Sequence, residues 1–369
     1  MYPLYRLRTR ASVVCYALMA FAVAGLVACG GGGDGRMPVT SMTVFGDSLS
    51  DVGTYRVATG DPANPGKFTV NPAPIWVDLV AAHYGQTLSP NRSLRLDAQA
   101  SMGATNQPGT ATVIGGNGYA EGGARVTRLP SESGIGNNQL VAPVATQVSH
   151  YLTAHGSFPG GQLVILGGGG NDVFAQFSAL CWGTDDNGAG SGNTTIASAT
   201  ANVTQAAKGL VTQLLRIKSS GGEHVLVYGA GDWSSTPFGQ YYLSATYQSQ
   251  SCYTAVTPGQ VSAWIHLFNQ TVLQGIANLP GVVYLDTTGV LTAAANQPAQ
   301  YGLTNTTQAA CTNTKPTAAA VFCTRATLAT PDADQTYLYS DNFHPSPKGH
   351  AILASAALAA LNGMVKPGN

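Results

Sequence analysis

Charge is what this chain most conspicuously lacks: only 9% of its 369 residues are Asp, Glu, Lys or Arg, against about 25% in an average globular protein. The 17 basic residues balance the 17 acidic ones, so no net field draws the protein to nucleic acid or to an anionic surface, and neither is expected as a partner. Cysteine is sparse, with six residues and no C-x-x-C pair, and no H-E-x-x-H stretch occurs. No metal site is therefore expected, and no organic cofactor. The glycine run Gly167–Gly170 is not followed by G-K-[ST], which excludes a phosphate cradle there. A G-x-G-x-x-G match at Gly30, Gly32 and Gly35 has no strand before it and no helix after it, so it is not read as a dinucleotide site.

What is present in quantity is apolar residues, 44% of the chain, and glycine, 45 residues. That supports a sizeable core, with a polar surface drawn from Ser, Thr, Asn and Gln. Arg6, Arg8 and Arg10 precede an apolar run from Ala11 to Ala28, the layout of a secretory signal peptide. Leu26-Val27-Ala28-Cys29 resembles the lipobox of bacterial lipoproteins, in which the cysteine is lipid-modified and becomes the mature N-terminus. An uncleaved membrane anchor is the alternative, since about 18 apolar residues just span a bilayer. The lipobox reading divides the start of the chain into a signal peptide (1–28) and a lipidated Cys29 with a glycine-rich tether (29–36). It makes the membrane a partner through the lipid. Gly30 after the cysteine resembles the pattern of lipoproteins that reach an outer membrane, so a cell-envelope or secreted location is expected.

With Cys15 in the signal and Cys29 taken by lipid, Cys181, Cys252, Cys311 and Cys323 remain. An even number in an exported chain implies two disulfides, and three connectivities are open. Cys311 and Cys323 enclose a short Thr/Ala-rich segment with no apolar period, for which a local bridge is the expected source of order. That leaves Cys181 to Cys252.

Apolar runs at Met42–Phe45, Leu163–Leu166, Val225–Tyr228 and Val282–Asp286 alternate with helical patterns at Ile75–Tyr84, Val144–His155, Thr194–Ser219, Gly259–Leu279 and Lys348–Leu361. Alternation of this kind calls for a parallel sheet. Residues 89–118 read as a loop region facing substrate, and residues 287–340 as an irregular insertion stapled by a disulfide.

Four short blocks carry chemistry. The first strand ends in Gly46-Asp47-Ser48, which places a hydroxyl at a strand's C-terminal edge, where open α/β sheets bind ligands. Gly122-Gly123 supplies a turn whose backbone N–H can meet a ligand. Asn171, after four glycines, offers an amide donor at the same edge. Asp341 stands three residues before His344, close enough for the carboxylate to orient the imidazole and free its other nitrogen to take a serine proton. His350 is read as a packing residue.

Together, Phe45-Gly46-Asp47-Ser48-Leu49-Ser50, Tyr119-Ala120-Glu121-Gly122-Gly123-Ala124, Gly169-Gly170-Asn171-Asp172 and Asp341-Asn342-Phe343-His344-Pro345 resemble, in order, the blocks of the SGNH or GDSL-type serine hydrolases. Ser48 is not in a G-x-S-x-G elbow, which argues against the α/β-hydrolase fold. The resemblance implies one hydrolase domain over residues 37–366, an α/β/α sandwich with a mostly parallel, five-stranded, flavodoxin-like sheet. It implies a serine carboxylester hydrolase in which Ser48 is the nucleophile, His344 the base and Asp341 its orienting acid. Ser48, Gly123 and Asn171 would form the oxyanion hole. The substrate would be an ester of a lipid or of an acylated small molecule or glycan. A carbohydrate O-acetyl esterase and a phospholipase or acyltransferase share these blocks, and a non-catalytic binding lipoprotein is the reading from another class.

Overall fold

The apolar runs at 42–45, 163–166 and 225–228 become strands buried on both faces, as a parallel sheet between helices requires, while the run at 282–285 is mostly half-buried. The computed structural model describes residues 38–95, 109–132, 139–184, 194–312 and 320–364. In chain order it contains β1 (Ser41–Phe45), α1 (Trp76–His83), β2 (Arg92–Arg95), β3 (Thr110–Val113), α2 (Val144–His155), β4 (Gln162–Gly167), α3 (Gly170–Cys181) and α4 (Ile196–Ser219). Next come β5 (His224–Tyr228), α5 (Pro237–Tyr242), α6 (Ala245–Ser251), α7 (Pro258–Ile276), β6 (Val282–Leu285) and α8 (Thr287–Asn296). The chain closes with β7 (Asn305–Ala309), α9 (Ala333–Thr336), β8 (Tyr337–Tyr339) and α10 (Pro347–Asn362).

The central sheet runs β1-β4-β5-β6, all parallel, and its register pairs Phe45 with Leu166, Gly167 with Tyr228, and Tyr228 with Leu285. All four C-terminal ends therefore meet at one edge. Side chains alternate between faces along each strand. Phe45, Val164, Leu166, Val225 and Val227 pack with residues of α2, α3, α4 and α7. Met42, Val44, Leu163, Ile165, Leu226, Tyr228 and Leu285 pack with residues of α1 and α10. The result is a three-layer α/β/α domain.

Among the described residues the sheet has four strands rather than the expected five. Where a fifth would flank β1, there is a single bridge between Val44 and Gly118, with Tyr119 N–H donating to the Val44 carbonyl at 2.7 Å. Gly115-Gly116-Asn117-Gly118 has almost no side chains to pack on a pleated face, which weakens a strand. A Cβ on Gly116 would also lie 2.2 Å from the Ser89 carbonyl oxygen, so this segment is held by close backbone approach. Residues 89–118 also contain an antiparallel β2–β3 hairpin where only a loop was expected.

Residues 287–340 are more regular than the irregular insertion expected of them. They open with helix α8, capped by Asp286, whose Oδ1 accepts the Gly289 N–H at 2.9 Å, and they hold the parallel pair β7–β8. The packed face of α8 is carried by Val290, Leu291 and the small Ala294 and Ala295, with only two large apolar side chains, which is why it is faint in the sequence. Disulfides join Cys181 to Cys252 and Cys311 to Cys323, the first tying the end of α3 to the end of α6. The signal, Cys29 and the tether lie outside the described residues. Among those described, no helix is long and apolar enough to cross a membrane.

Candidate active site

Ser48 begins a short 3₁₀ turn after β1. Asp47 caps that turn, its Oδ1 accepting the Leu49 N–H at 3.1 Å. Gly46 is required there, because a Cβ would fall 2.1 Å from the Tyr228 hydroxyl. Its peptide groups are gripped by buried Gln147, which accepts the Gly46 N–H and donates to its carbonyl, both at 2.8 Å. Nothing local in the sequence marks Gln147, a glutamine that works 101 residues away.

The loop after β8 brings His344 to this turn. His344 Nε2 lies 2.8 Å from Ser48 Oγ, and its Nδ1 lies 2.8 Å from Asp341 Oδ2. Asp341 is 2% exposed. Its Oδ1 accepts the N–H groups of Phe343 at 2.8 Å and His344 at 2.6 Å, while Oδ2 also accepts that of Ala320 at 2.7 Å. Burial alone would raise the Asp341 pKa, but the adjoining imidazole and the backbone donors outweigh it and hold the carboxyl below its ordinary value. Phe68 lies against the His344 ring with centroids 4.8 Å apart.

His350 is fully buried and sits behind this layer. Its Nδ1 accepts the Trp76 N–H, so Nε2 donates to the Phe68 carbonyl, both at 3.3 Å. Burial pushes its pKa down to about 3. It is a neutral strut under Phe68, in keeping with a packing role.

The three expected donors converge on the same edge. Gly122 and Gly123 are distinguished by Asp51, whose Oδ2 accepts the Gly122 N–H at 2.8 Å. The Gly123 N–H meets no acceptor among the described residues, and Gly123 lines the cavity in front of Ser48. Asn171 donates one amide hydrogen to the Ala124 carbonyl at 3.0 Å and keeps a second. The two donor loops are also joined by Asp172, which accepts the Val126 N–H at 2.9 Å and faces buried Arg125 at 3.5 Å. Burial raises Asp47 and Asp51 to about 6 and Glu121 to about 7, despite Arg92 beside Glu121 and backbone donors on all three.

Ser48 opens into a cavity of about 400 Å³ whose walls include Phe174, Trp182, Trp233, Phe238, Tyr242 and Phe343. These rings come from α3 and its C-cap, α5, and the loops after β5 and β8, and meet mostly edge to face. No Lys or Arg is among the described lining residues, whereas Asp47, Glu132 and Asp232 are. Among the described residues no cluster of three or more His, Cys, Asp or Glu stands ready for a metal ion. A hydroxyl on an imidazole, with backbone and amide donors beside it, can attack a carbonyl and stabilise the resulting oxyanion. The family model for GDSL-like lipase/acylhydrolase matches residues 42–357, a span that holds all of these groups. No curated protein matches the chain.

Proposed function

The chain belongs to the GDSL-like lipase/acylhydrolase family, an ester-hydrolysing family, and from that premise we propose that it cleaves esters of uncharged, apolar acyl groups larger than acetyl. Ser48 Oγ attacks the ester carbonyl while His344 Nε2 takes its proton, and Asp341 holds the imidazole with Nδ1 protonated. The Ser48 and Gly123 N–H groups and the Asn171 amide receive the negative charge that develops on the carbonyl oxygen. His344 returns the proton to the leaving alcohol, and water releases the acyl group by the same steps. The observation that carries this reading is the Asp341–His344–Ser48 hydrogen-bonded chain, at 2.8 Å per link, at the mouth of an aromatic-walled cavity.

The cavity supports the choice of acyl group. An acetyl group would leave most of about 400 Å³ unfilled, and among the described lining residues an anionic group would find carboxylates and no Lys or Arg. Hydrolysis of p-nitrophenyl esters by the purified protein tests this. kcat/KM should climb from acetate towards hexanoate by up to about fourfold per added CH₂, the equivalent of about 0.8 kcal/mol of burial each. A succinate half-ester should be at least about tenfold slower than an uncharged ester of matched length, since a buried unpaired charge is costly. Activity that falls from acetate onward would instead favour an O-acetyl esterase, and no hydrolysis of any ester would favour the binding lipoprotein.

The proposal includes an envelope location, resting on the Leu26–Cys29 box and the basic and apolar residues before it. One modified cysteine would carry all the acyl chains of the anchor. Cys29→Ser should therefore abolish incorporation of radioactive fatty acid into the protein, and equal labelling of both proteins would refute the anchor.

A further inference from the structure

The Gly122–Gly123 peptide could point its N–H in either of two directions, and what selects one of them is a side chain far away in the sequence. Residues 121–124 form a β-turn closed by Ala124 N–H donating to the Glu121 carbonyl at 3.1 Å. Gly123, its third residue, has φ +82°, the mark of a type II turn. Rotating the central peptide by half a turn would make it type I. With glycine at both central positions neither form is penalised by a Cβ. That central peptide consists of the Gly122 carbonyl and the Gly123 N–H, which point in opposite directions in a planar trans unit. The direction of one therefore dictates that of the other.

The Gly122 carbonyl accepts a hydrogen bond from the Tyr55 hydroxyl at 2.7 Å, in a fully buried setting. We infer that Tyr55 is a positioning residue for the oxyanion hole, locking the turn in the type II form that aims the Gly123 N–H at the cavity. The inference rests on the proposed oxyanion role of Gly123. A flip to type I would break that hydrogen bond, swing the Gly122 carbonyl away from the hydroxyl and turn the Gly123 N–H away from Ser48.

The surroundings leave Tyr55 little freedom. Its ring meets Phe68 edge to face at 5.6 Å, and a Cβ on Gly122 would fall 2.2 Å from the Phe68 ring and 2.9 Å from Tyr55 Cε2. The preceding peptide is pinned as well, since Asp51 Oδ2 accepts the Gly122 N–H. Asp51 Oδ1 is in turn fixed by the N–H groups of Gly53 at 2.9 Å and Thr54 at 2.8 Å. One segment, Ser48 to Tyr55, thereby carries the first oxyanion donor and orients the second.

Tyr55→Phe in the full chain removes only the hydroxyl. With p-nitrophenyl hexanoate, kcat should fall about tenfold with KM within about twofold, short of the 10²–10³-fold loss that follows deletion of a whole oxyanion donor. Inactivation by an organophosphonate, whose tetrahedral adduct uses the same donors, should slow in proportion. Gly123→Ala disfavours the same positive φ without touching Tyr55, and should reproduce that kcat pattern if Tyr55→Phe proves too unstable to assay. A kcat within twofold of wild type in Tyr55→Phe, with Gly123→Ala impaired, would overturn the inference while leaving Gly123 as a donor. Normal kcat in both would overturn the donor assignment and the inference with it. A wild-type protein inactive on every ester would instead defeat the proposed function.

Discussion

Ser48→Ala is expected to lower kcat by about 10⁶, the loss seen when the nucleophile of a serine protease triad is removed. The expectation is this large because the structure offers no substitute. Ser50, two residues on, is fully buried, and the only side chain bonded to His344 Nε2 among the described residues is Ser48 itself. What activity survives would come from the oxyanion donors and the binding cavity acting on water. The fold should be unaffected, since the Ser48 side chain makes no other hydrogen bond among the described residues and the turn is capped by Asp47. Intact-mass spectrometry after organophosphonate treatment gives the direct check: one adduct on the wild type and none on Ser48→Ala. An adduct on the variant, or turnover within about a hundredfold of wild type, would remove Ser48 from the mechanism.

Asp341→Asn should cost about 10⁴ in kcat, the figure for the corresponding change in the serine protease triad. The backbone donors around this carboxylate explain why an amide cannot substitute. Oδ1 is held by the N–H groups of Phe343 and His344, so the oxygen of the introduced amide must occupy that position. Its NH₂ group then falls where Oδ2 had been, facing the Ala320 N–H and His344 Nδ1. Nδ1 becomes an acceptor and the ring proton moves to Nε2, which can no longer take the proton of Ser48.

The same substitution should lower stability at neutral pH, through an orphaned Ala320 donor and a lost charge-assisted bond. The direction with pH follows from the lowered Asp341 pKa. A carboxyl held below its ordinary value stabilises the fold above that ordinary value, 3.8, and loses the contribution as pH falls through the folded-state value. The Tm difference between wild type and Asp341→Asn should therefore be widest above about pH 4 and shrink below it. A difference that grew with acid, or an active Asp341→Asn, would show that the carboxylate is not what orients His344.

Features that depend on neighbours along the chain are legible in the sequence. Four apolar runs alternating with helical periods specify the parallel sheet, because burial on both faces leaves a continuous apolar signature in each strand. The approach of Asp341 to His344 can be read in the same way, since a three-residue bend is a local event. Other features arise only when distant segments meet in the folded domain. The edge strand is lost because Gly116 and Gly118 meet the backbone and side chains of such segments. Gly123 is separated from Gly122 by Asp51 and Tyr55, whose bonds to Gly122 span 71 and 67 residues. Gln147 grips Gly46 across 101 residues, and the cavity wall gathers rings from α3, α5 and two loops. A hydrogen bond or ring contact between residues so far apart has no local pattern to betray it, because its partners become neighbours only once loop-closure entropy has been overcome by the folding of the whole domain.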